Sequence, residues 1–392
     1  MAGISLHEPE FDALDEELVL SALRSSWVST GGPFVDQFER EFAVFTGTES
    51  AISTANGTIA IQLMIHVLAK RLGIDGSFEV LIPTLTFIAT ANAVVHAGGH
   101  PTFIDCAPGS ANVGAASVDA AVRKHYRFDA AKGLWFGTKT GRPLLAVMPV
   151  HIMGWPCPMV ELATLCRDLQ VPLIEDAAEA LGTFLPGGAH VGSTSLAAAF
   201  SFNGNKILTT GGGGMIVTND RAFAQMAKHL STTAKTDALR FVHDEVAFNF
   251  RMINILASLG CSQLRRLKAK LARKAVISAL YESRLAKVGI KLFQVDGCQA
   301  NNWLVTAVFP SFETREAALR ALNEQQIHAR PLWTPVHRQP AFYQLVDPEE
   351  TFPAADSFWR TSLSLPSSPQ LHDAEVDLVC DVIQTAMGKV TP

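Results

Sequence analysis

Residues 197–218 read AAAFSFNGNKILTTGGGGMIVT. Two short apolar runs, Ala197 to Ser201 and Gly214 to Thr218, flank a polar segment that carries one lysine, Lys206, and a run of glycines from Gly211 to Gly214. Runs this short, bounded by turn residues, predict buried strands. A lysine just past a buried strand and ahead of a glycine-rich turn can sit partly desolvated and hence nucleophilic, although a surface lysine ending a strand is the ordinary outcome for such a residue taken alone. The glycine spacing is not that of a phosphate-binding P-loop, and a hairpin turn accounts for it equally.

Outward from this stretch, similar runs alternate with helical patterns from Glu49 to about Asn219: Ala51 to Thr54, Glu79 to Ile82, His100 to Ile104, Leu144 to Val150, Pro172 to Glu175, Ala197 to Ser201 and Gly214 to Thr218. That alternation predicts an α/β fold with a mostly parallel sheet and crossover helices. Ligands of such sheets lie beyond the carboxyl ends of the strands, which singles out Asn56, Thr86, His151, Asp176 and the segment Asn203 to Lys206. Ahead of the sheet, Glu10 to Leu23 and Phe34 to Phe45 read as helices around the break Ser29-Thr30-Gly31-Gly32-Pro33. After about His229 the alternation stops. A long helical stretch from Ile253 to about Val288 places Leu264, Leu267 and Leu271 on one face, and its basic residues Arg265, Arg266, Lys268, Lys270, Arg273 and Lys274 read most simply as a solvated face. Strand Asn302 to Phe309 and helix Thr314 to Gln325 then suit a smaller α+β domain. The expected organisation is an N-terminal helical segment (residues 1–25), a large α/β domain (26–240) and a small C-terminal α+β domain (241–392) whose long helix contacts a partner subunit.

Composition narrows the function. Of 392 residues, 48% are hydrophobic and 18% charged, a balance for burial and against disorder. With 32 Lys and Arg against 37 Asp and Glu the net charge is −5, so no basic field exists to hold a nucleic acid. The start of the chain is acidic and lacks the pattern of a secretory signal, and apolar runs such as Ala89 to Val95 fall well short of the ~18 residues that span a bilayer. The cysteines (Cys106, Cys157, Cys166, Cys261, Cys298, Cys380) show no metal-ligand spacing and read as reduced core thiols. A cytoplasmic protein without membrane insertion is expected.

Three further elements accompany the lysine. In Pro172-Leu173-Ile174-Glu175-Asp176-Ala177-Ala178-Glu179 an apolar strand delivers a carboxylate at its carboxyl end, where it needs a positive partner or hydrogen-bond donors to stay ionised; a pyridinium nitrogen would serve, and a helix cap is the plain alternative. Thr54-Ala55-Asn56-Gly57-Thr58 opens an apolar helix whose N-terminus suits a phosphate. Pro83-Thr84-Leu85-Thr86-Phe87 ends a strand on an aromatic ring that could cover a flat cofactor or simply pack in the core.

Together these elements resemble, in order and spacing, the pyridoxal-phosphate-dependent nucleotide-sugar aminotransferases, the DegT-type branch of fold type I. The likeness covers most of the chain and includes Trp27-Val28-Ser29-Thr30-Gly31-Gly32-Pro33-Phe34, Asn56-Gly57-Thr58, Phe87, Val150-His151 with Gly154, Glu175-Asp176-Ala177-Ala178, Ser201-Phe202 with Lys206, Phe248-Asn249-Phe250-Arg251-Met252, and Arg330-Pro331-Leu332-Trp333 with His337. The resemblance implies a large domain built on a mostly parallel seven-stranded sheet plus a smaller C-terminal domain, with pyridoxal 5'-phosphate as cofactor and no metal. It implies that Lys206 forms the Schiff base and shuttles the proton, Asp176 pairs with the pyridinium nitrogen, Phe87 stacks on the ring, and Gly57, Thr58 and Ser201 hold the phosphate. Asn249 would reach that phosphate from the neighbouring subunit of a homodimer with a shared active site.

Glu179 departs from the commoner pattern: many relatives carry Gln or His there to bond the cofactor's phenolic oxygen. An ionised Glu beside a phenolate is repulsive, so Glu179 must be protonated, point elsewhere or bond through water. Phe248 and Phe250 stand where tyrosines are frequent. Related dehydratases carry His at the Schiff-base position, so Lys206 favours transamination over dehydration or epimerisation; a nucleotide-sugar-binding regulator would need neither Lys206 nor Asp176. By resemblance the substrates are L-glutamate, releasing 2-oxoglutarate, and a nucleotide-linked keto sugar, with C4 of a UDP-4-keto-6-deoxy-N-acetylhexosamine for bacterial glycans preferred over C3 amination or a GDP sugar. Ser29 and Thr30 for the sugar, Arg251, Arg330 and Arg265 for the diphosphate, and His151 and His337 as cleft-lining residues complete the expected site.

Overall fold

Seven of the apolar runs lie side by side as strands: β1 (Ser50–Thr54), β2 (Glu79–Pro83), β3 (His100–Ile104), β4 (Leu144–Val147), β5 (Ile174–Asp176), β6 (Ala197–Ser201) and β7 (Gly214–Thr218). The computed structural model describes residues 3–388, so residues 1, 2 and 389–392, at the outer ends of the expected domains, lie outside the described residues. The strand order is β3-β2-β4 and β5-β6-β7-β1. The two parts join through the parallel bridges Val147 to Leu173 and Val150 to Asp176. Only β7 runs against its neighbours, setting Ile216 opposite both Ile52 and Ala199. Both β2 and β7 are buried along their whole length, which is why they read as unbroken apolar runs rather than alternating ones. Strand β4 ends at Val147, short of the expected Val150, because Pro149 has no N–H to continue the ladder.

Helices α1 (Ala13–Arg24), α2 (Pro33–Thr46), α3 (Gly57–Arg71), α4 (Ile88–His96), α5 (Ala115–His125), α6 (Met159–Asp168) and α7 (Arg221–Ser231) accompany the sheet. Their ends follow local chemistry. Asp12 and Asp15 form a reciprocal cap on α1, Pro33 starts α2, and Gly47, in the left-handed region at φ 68°, stops it. Asn56 caps α3 by accepting from the Ile59 N–H at 2.9 Å.

The 32-residue helix α8 (Asn254–Leu285) belongs to two cores. Its first half sends Ala257, Cys261, Leu264 and Leu267 into the core under the large sheet. Its second half sends Ile277, Tyr281 and Leu285 into a separate core. That second core also takes in α9 (Phe312–Glu324), α11 (Asp373–Gly388) and an antiparallel sheet of β8 (Lys291–Leu292), β9 (Val305–Val308), β10 (Arg330–Pro331) and β11 (Ser362–Leu365), ordered β8-β9-β11-β10. Helix α10 (Pro353–Thr361) lies between, its Phe358 in the large core. The N-terminal segment is tied to this second body: Ile4 pairs with Ile327, the Ser367 N–H donates to the Leu6 carbonyl, and the Glu8 N–H donates to Ser368 Oγ at 2.9 Å.

In the basic stretch of α8, Arg265 and Lys268 lie on the solvated face expected and the other four residues do not. Arg266 pairs with Asp15 of α1 and Arg273 with Asp373 of α11, at 2.8 Å, while Lys270 and Lys274 are 5% and 0% exposed. These four lie on the sides of the helix that α1 and the second core close over, while Lys268, Ala272 and Ala275 keep the remaining face in solvent. Two hairpins escaped the sequence reading, Tyr126–Asp129 with Leu134–Gly137 and Lys235–Asp237 with Val242–His243, because each is too exposed to show a period-two pattern. All six cysteines are free and five are buried. No helix among the described residues is long and apolar enough to cross a membrane.

Candidate active site

The carboxyl ends of β1, β2, β5 and β6 and the start of β7 meet around an enclosed cavity of about 290 Å³. The chain leaves β6 at Ser201 and turns through Asn203 to Lys206, held by the Lys206 N–H to Asn203 carbonyl bond at 2.9 Å. The glycine run follows: the Phe202 N–H donates to the Gly213 carbonyl at 2.9 Å, so the lysine is fixed between two paired strands. Its side chain is only 13% exposed, and Nζ lies 3.5 Å from Glu179 Oε1 and over the Trp303 ring, 3.8 Å from the centroid. Burial lowers the Lys206 pKa, while Glu179 and Asp176 pull it back up.

Asp176 ends β5 and is 3% exposed. Its Oδ2 accepts from Thr90 Oγ1 at 2.7 Å and its Oδ1 from the Ala178 N–H at 3.1 Å. Burial raises its pKa; those donors and Lys206 oppose the shift. A buried carboxylate facing a cavity and served by neutral donors is matched to a cationic N–H. Glu179 is 6% exposed, and burial pushes it up to about 7 against the pull of Lys206 and of the Met153 N–H, which donates to Oε2 at 2.8 Å.

The opposite end of the cavity is the N-terminus of α3. A Cβ at Gly57 would stand 2.7 Å from the Ser201 Cβ and one at Gly214 would stand 2.6 Å from the Asn56 backbone, so glycine alone permits this close approach. Gly57, Thr58, Ser201, Gly212 and Gly213 line this end without any acidic side chain, an arrangement that fits a phosphate. The side walls are aromatic: Phe87 is half exposed, 5.7 Å from Trp333 between ring centroids, and Trp303 is buried. Flat walls, a phosphate cradle at one end, a carboxylate for a ring N–H and an adjacent buried amine together fit pyridoxal phosphate. A larger cavity, about 860 Å³, opens between Phe103, Lys124, Phe293 and Phe358. Its Lys124 is exposed and paired with Glu350 at 2.6 Å, and it offers no buried acid–amine pair, so the chemistry belongs to the smaller one.

Of the residues expected at the site, the structure brings Lys206, Asp176, Glu179, Gly57, Thr58, Ser201 and Phe87 around one cavity. His151 is not a cleft residue. It is fully buried, its Nε2–H donates to Glu175 Oε2 at 2.8 Å, and its Nδ1 accepts from the Cys157 N–H at 3.0 Å. Its partner Glu175 precedes Asp176 by one residue and so faces the other side of the sheet. His337 does not line the cavity either: it links Thr84 Oγ1, 2.7 Å from Nδ1, to Asp356, 3.3 Å from Nε2. Asn249 is exposed and bridges to Thr232, while Arg251 bridges to Thr54 beside the cradle. Ser29 and Arg330 are exposed and Thr30 half-buried, none of them on the cavity wall; Arg265 lies 3.7 Å from Glu41 on the surface. The sequence reading missed Trp303, Thr90 and Met153. Thr86 and Thr90, at helical i,i+4 spacing on an otherwise apolar helix start, were the available signal for one of them, and their hydroxyls do meet at 2.8 Å.

Comparison with known proteins gives the same reading. The DegT/DnrJ/EryC1/StrS aminotransferase family matches residues 9–384. The GDP-perosamine synthase of Vibrio cholerae is 32% identical over 384 residues, 97% of this chain and 98% of its own. The dTDP-4-dehydro-2,3,6-trideoxy-D-glucose 4-aminotransferase of Saccharopolyspora spinosa is 29% identical over 401 residues, covering 98% of this chain and 97% of its own. Among solved structures, the PLP form of Spr1654 from Streptococcus pneumoniae superposes over the whole of both chains with a TM-score of 0.87 at 23% identity, a likeness of fold. The chain belongs to the DegT/DnrJ/EryC1/StrS aminotransferases, pyridoxal-phosphate-dependent enzymes of fold type I.

Proposed function

We propose that this aminotransferase moves an amino group from L-glutamate to C4 of a 4-keto-6-deoxy hexose carried on a nucleoside diphosphate, for glycan biosynthesis. The observation that carries this reading is the placement of Lys206 Nζ, Asp176 and the Gly57–Ser201 cradle around one enclosed cavity. Bound there, pyridoxal phosphate supplies an electron sink to the carbon that gains or loses the amino group. The chain's own residues do the rest. The N–H groups at Gly57 and Thr58 and the Ser201 hydroxyl hold the phosphate at the helix N-terminus. Asp176 keeps a proton on the ring nitrogen, with Thr90 and Ala178 orienting its carboxylate. Phe87 covers one face of the ring. Lys206 provides the amine that anchors the cofactor and then carries a proton at Nζ, and the Trp303 and Trp333 rings keep water away from it.

The site is proposed to be completed by a second copy of the chain. Leu239, Phe241 and Val246, on and beside the exposed hairpin, are 83%, 70% and 98% exposed, and the same segment leads into Asn249. Apolar side chains so exposed suit burial against a partner, which would place Asn249 at that partner's phosphate cradle. Arg251, half-buried and bridged to Thr54, and Arg330, exposed on the small sheet, would meet the diphosphate. As to the nucleotide, likeness to a GDP-perosamine synthase supports a GDP-linked sugar as the first substrate to assay, with the UDP-linked N-acetylated sugar second.

The experiment is to record the absorption of the purified protein before and after L-glutamate, then to measure 2-oxoglutarate release with each keto sugar. A cofactor band that shifts with glutamate, and 2-oxoglutarate formed in step with an amino sugar, is the expected result. Lys206→Ala is expected to lower turnover by at least roughly a thousandfold with the fold retained. Loss of water from the sugar without 2-oxoglutarate would make the enzyme a dehydratase instead.

A further inference from the structure

Glu179 is fixed with unusual care for a side chain that only borders a cofactor site. Its Oε2 accepts from the Met153 N–H at 2.8 Å, and Met153 holds the left-handed region at φ 55°, rare for a residue with a side chain. Its own carbonyl accepts from Asn301 Nδ2 at 2.6 Å. Anchored at both ends, the carboxyl group turns its other oxygen, Oε1, to Lys206 Nζ at 3.5 Å. Trp303 closes the amine from the far side, its indole N–H locked to the Asn205 carbonyl at 2.7 Å. In so buried a space an ammonium and a carboxylate are each costly, and a proton passing between them removes both charges at once.

We propose that Glu179 is the proton partner of Lys206, with Oε1 taking up the proton that Nζ gives away. One N–H bond at Nζ breaks, its electron pair stays on nitrogen, and one O–H bond forms at Oε1; no further reactant enters. The product is a neutral amine, the form that can act as a nucleophile, beside a neutral acid that can return the proton. The separation of 3.5 Å is within the range that closes when a catalytic hydrogen bond tightens. The other charged and titratable groups near the pair are Asp176 on β5, which favours the protonated state of both partners, and His7 on the N-terminal segment, which feels the Lys206 charge. The raised Glu179 and lowered Lys206 pKa values, both caused chiefly by burial, bring the proton affinities of the two groups closer together. This inference rests on the proposed role of Lys206 but not on the identity of the sugar.

The test is pH-dependent acetylation of Lys206 in the full-length chain freed of cofactor, read by mass spectrometry with trace acetic anhydride, for wild type, Glu179→Gln and Glu179→Asp. Gln keeps an acceptor for the Met153 N–H and removes the charge. Its Lys206 labelling is expected to rise with pH in a single step whose midpoint lies below that of wild type, where the proton shared with Oε1 leaves the amine only partly free until a second proton is lost and the profile rises in two steps. Asp keeps the charge on a shorter arm, and its midpoint is expected between the other two. A Lys206 midpoint equal in wild type and Gln, or in wild type and Asp should Gln fail to fold, would overturn the proposal. Pyridoxal-phosphate uptake by the same samples, followed by absorbance, reads the cofactor assignment separately: a chain that binds none refutes that assignment while the labelling still reports on the pair.

Discussion

At the scale of single residues the cavity leaves little room for substitution. Gly57 lies where α3 meets β6, and a methyl group there would stand 2.7 Å from the Ser201 Cβ. Gly57→Ala is therefore expected to lower stability by about 1–3 kcal/mol and to weaken pyridoxal-phosphate binding, both read by urea titration with and without cofactor. Unchanged binding would mean that the phosphate is held elsewhere. Asp176→Asn carries a different expectation. Thr90 Oγ1–H and the Ala178 N–H both donate to the present carboxylate, so an amide there must either set an NH₂ against a donor or lose the cationic partner. The variant is expected to fold, and its absorption should lack the response to glutamate that wild type shows.

At the scale of elements, one residue of strand register separates chemistry from structure. Glu175 and Asp176 are neighbours on β5, yet one meets His151 and Gly192 behind the sheet and the other faces the cavity. His151→Ala would leave the buried Glu175 without its side-chain partner and is expected to destabilise the protein by about 3 kcal/mol. Turnover per folded molecule should change little, because the His151 side chain bonds only Glu175 and the Cys157 N–H, and its backbone N–H to Asp176 carbonyl bond survives the substitution; denaturant melts run beside activity assays separate the two effects. This pair also shows where the sequence stops being informative. Strands β2, β5, β6 and β7 could be read because burial on both faces leaves long apolar runs, and Lys206, Asp176, Gly57 and Phe87 because each follows such a run directly. His151 follows one too, but its ring is held among buried groups by Glu175 and the Cys157 N–H, which no periodicity records. Trp303 and Met153 meet Lys206 and Glu179 from segments about a hundred and about twenty-five residues away, and nothing local marks them.

At the scale of the whole molecule, the two cores are stitched by α8, and the stitching buries charge. Lys274 is fully buried, hydrogen-bonded to the Ser367 carbonyl, with Lys270 as its nearest charged neighbour, and burial lowers its pKa to about 7. The sign of the pH effect follows. Between about 7 and the ordinary lysine value of 10.5 the unfolded chain holds a proton that the folded chain has released, so this residue's contribution to stability rises with pH across that window. Below the window the folded protein holds a buried cation, at a penalty of roughly 5 kcal/mol. Lys274→Met is expected to raise the urea midpoint at pH 6 and to lose that advantage by pH 10. A midpoint gain that is independent of pH would show that packing, not charge, is responsible. The basic pattern of α8 gave no hint of this, because a sequence shows that charges lie on one helix and not that a second body closes over them.

The bonds from Ile4, Leu6 and Glu8 to residues 326–328, 367 and 368 have a consequence for how the protein is made. Ser367 also donates its hydroxyl to the Trp303 carbonyl at 3.1 Å, so the wall beneath Lys206 is braced by a strip whose two sides, Glu8 and Ser368, lie 360 positions apart in the sequence. A nascent chain can assemble β1 to β7, with Lys206 and Asp176 in place, while that wall is still missing. Until residues 367 and 368 are in place the Trp303 wall lacks this brace, so Lys206 gains its full cover only when the strip has closed.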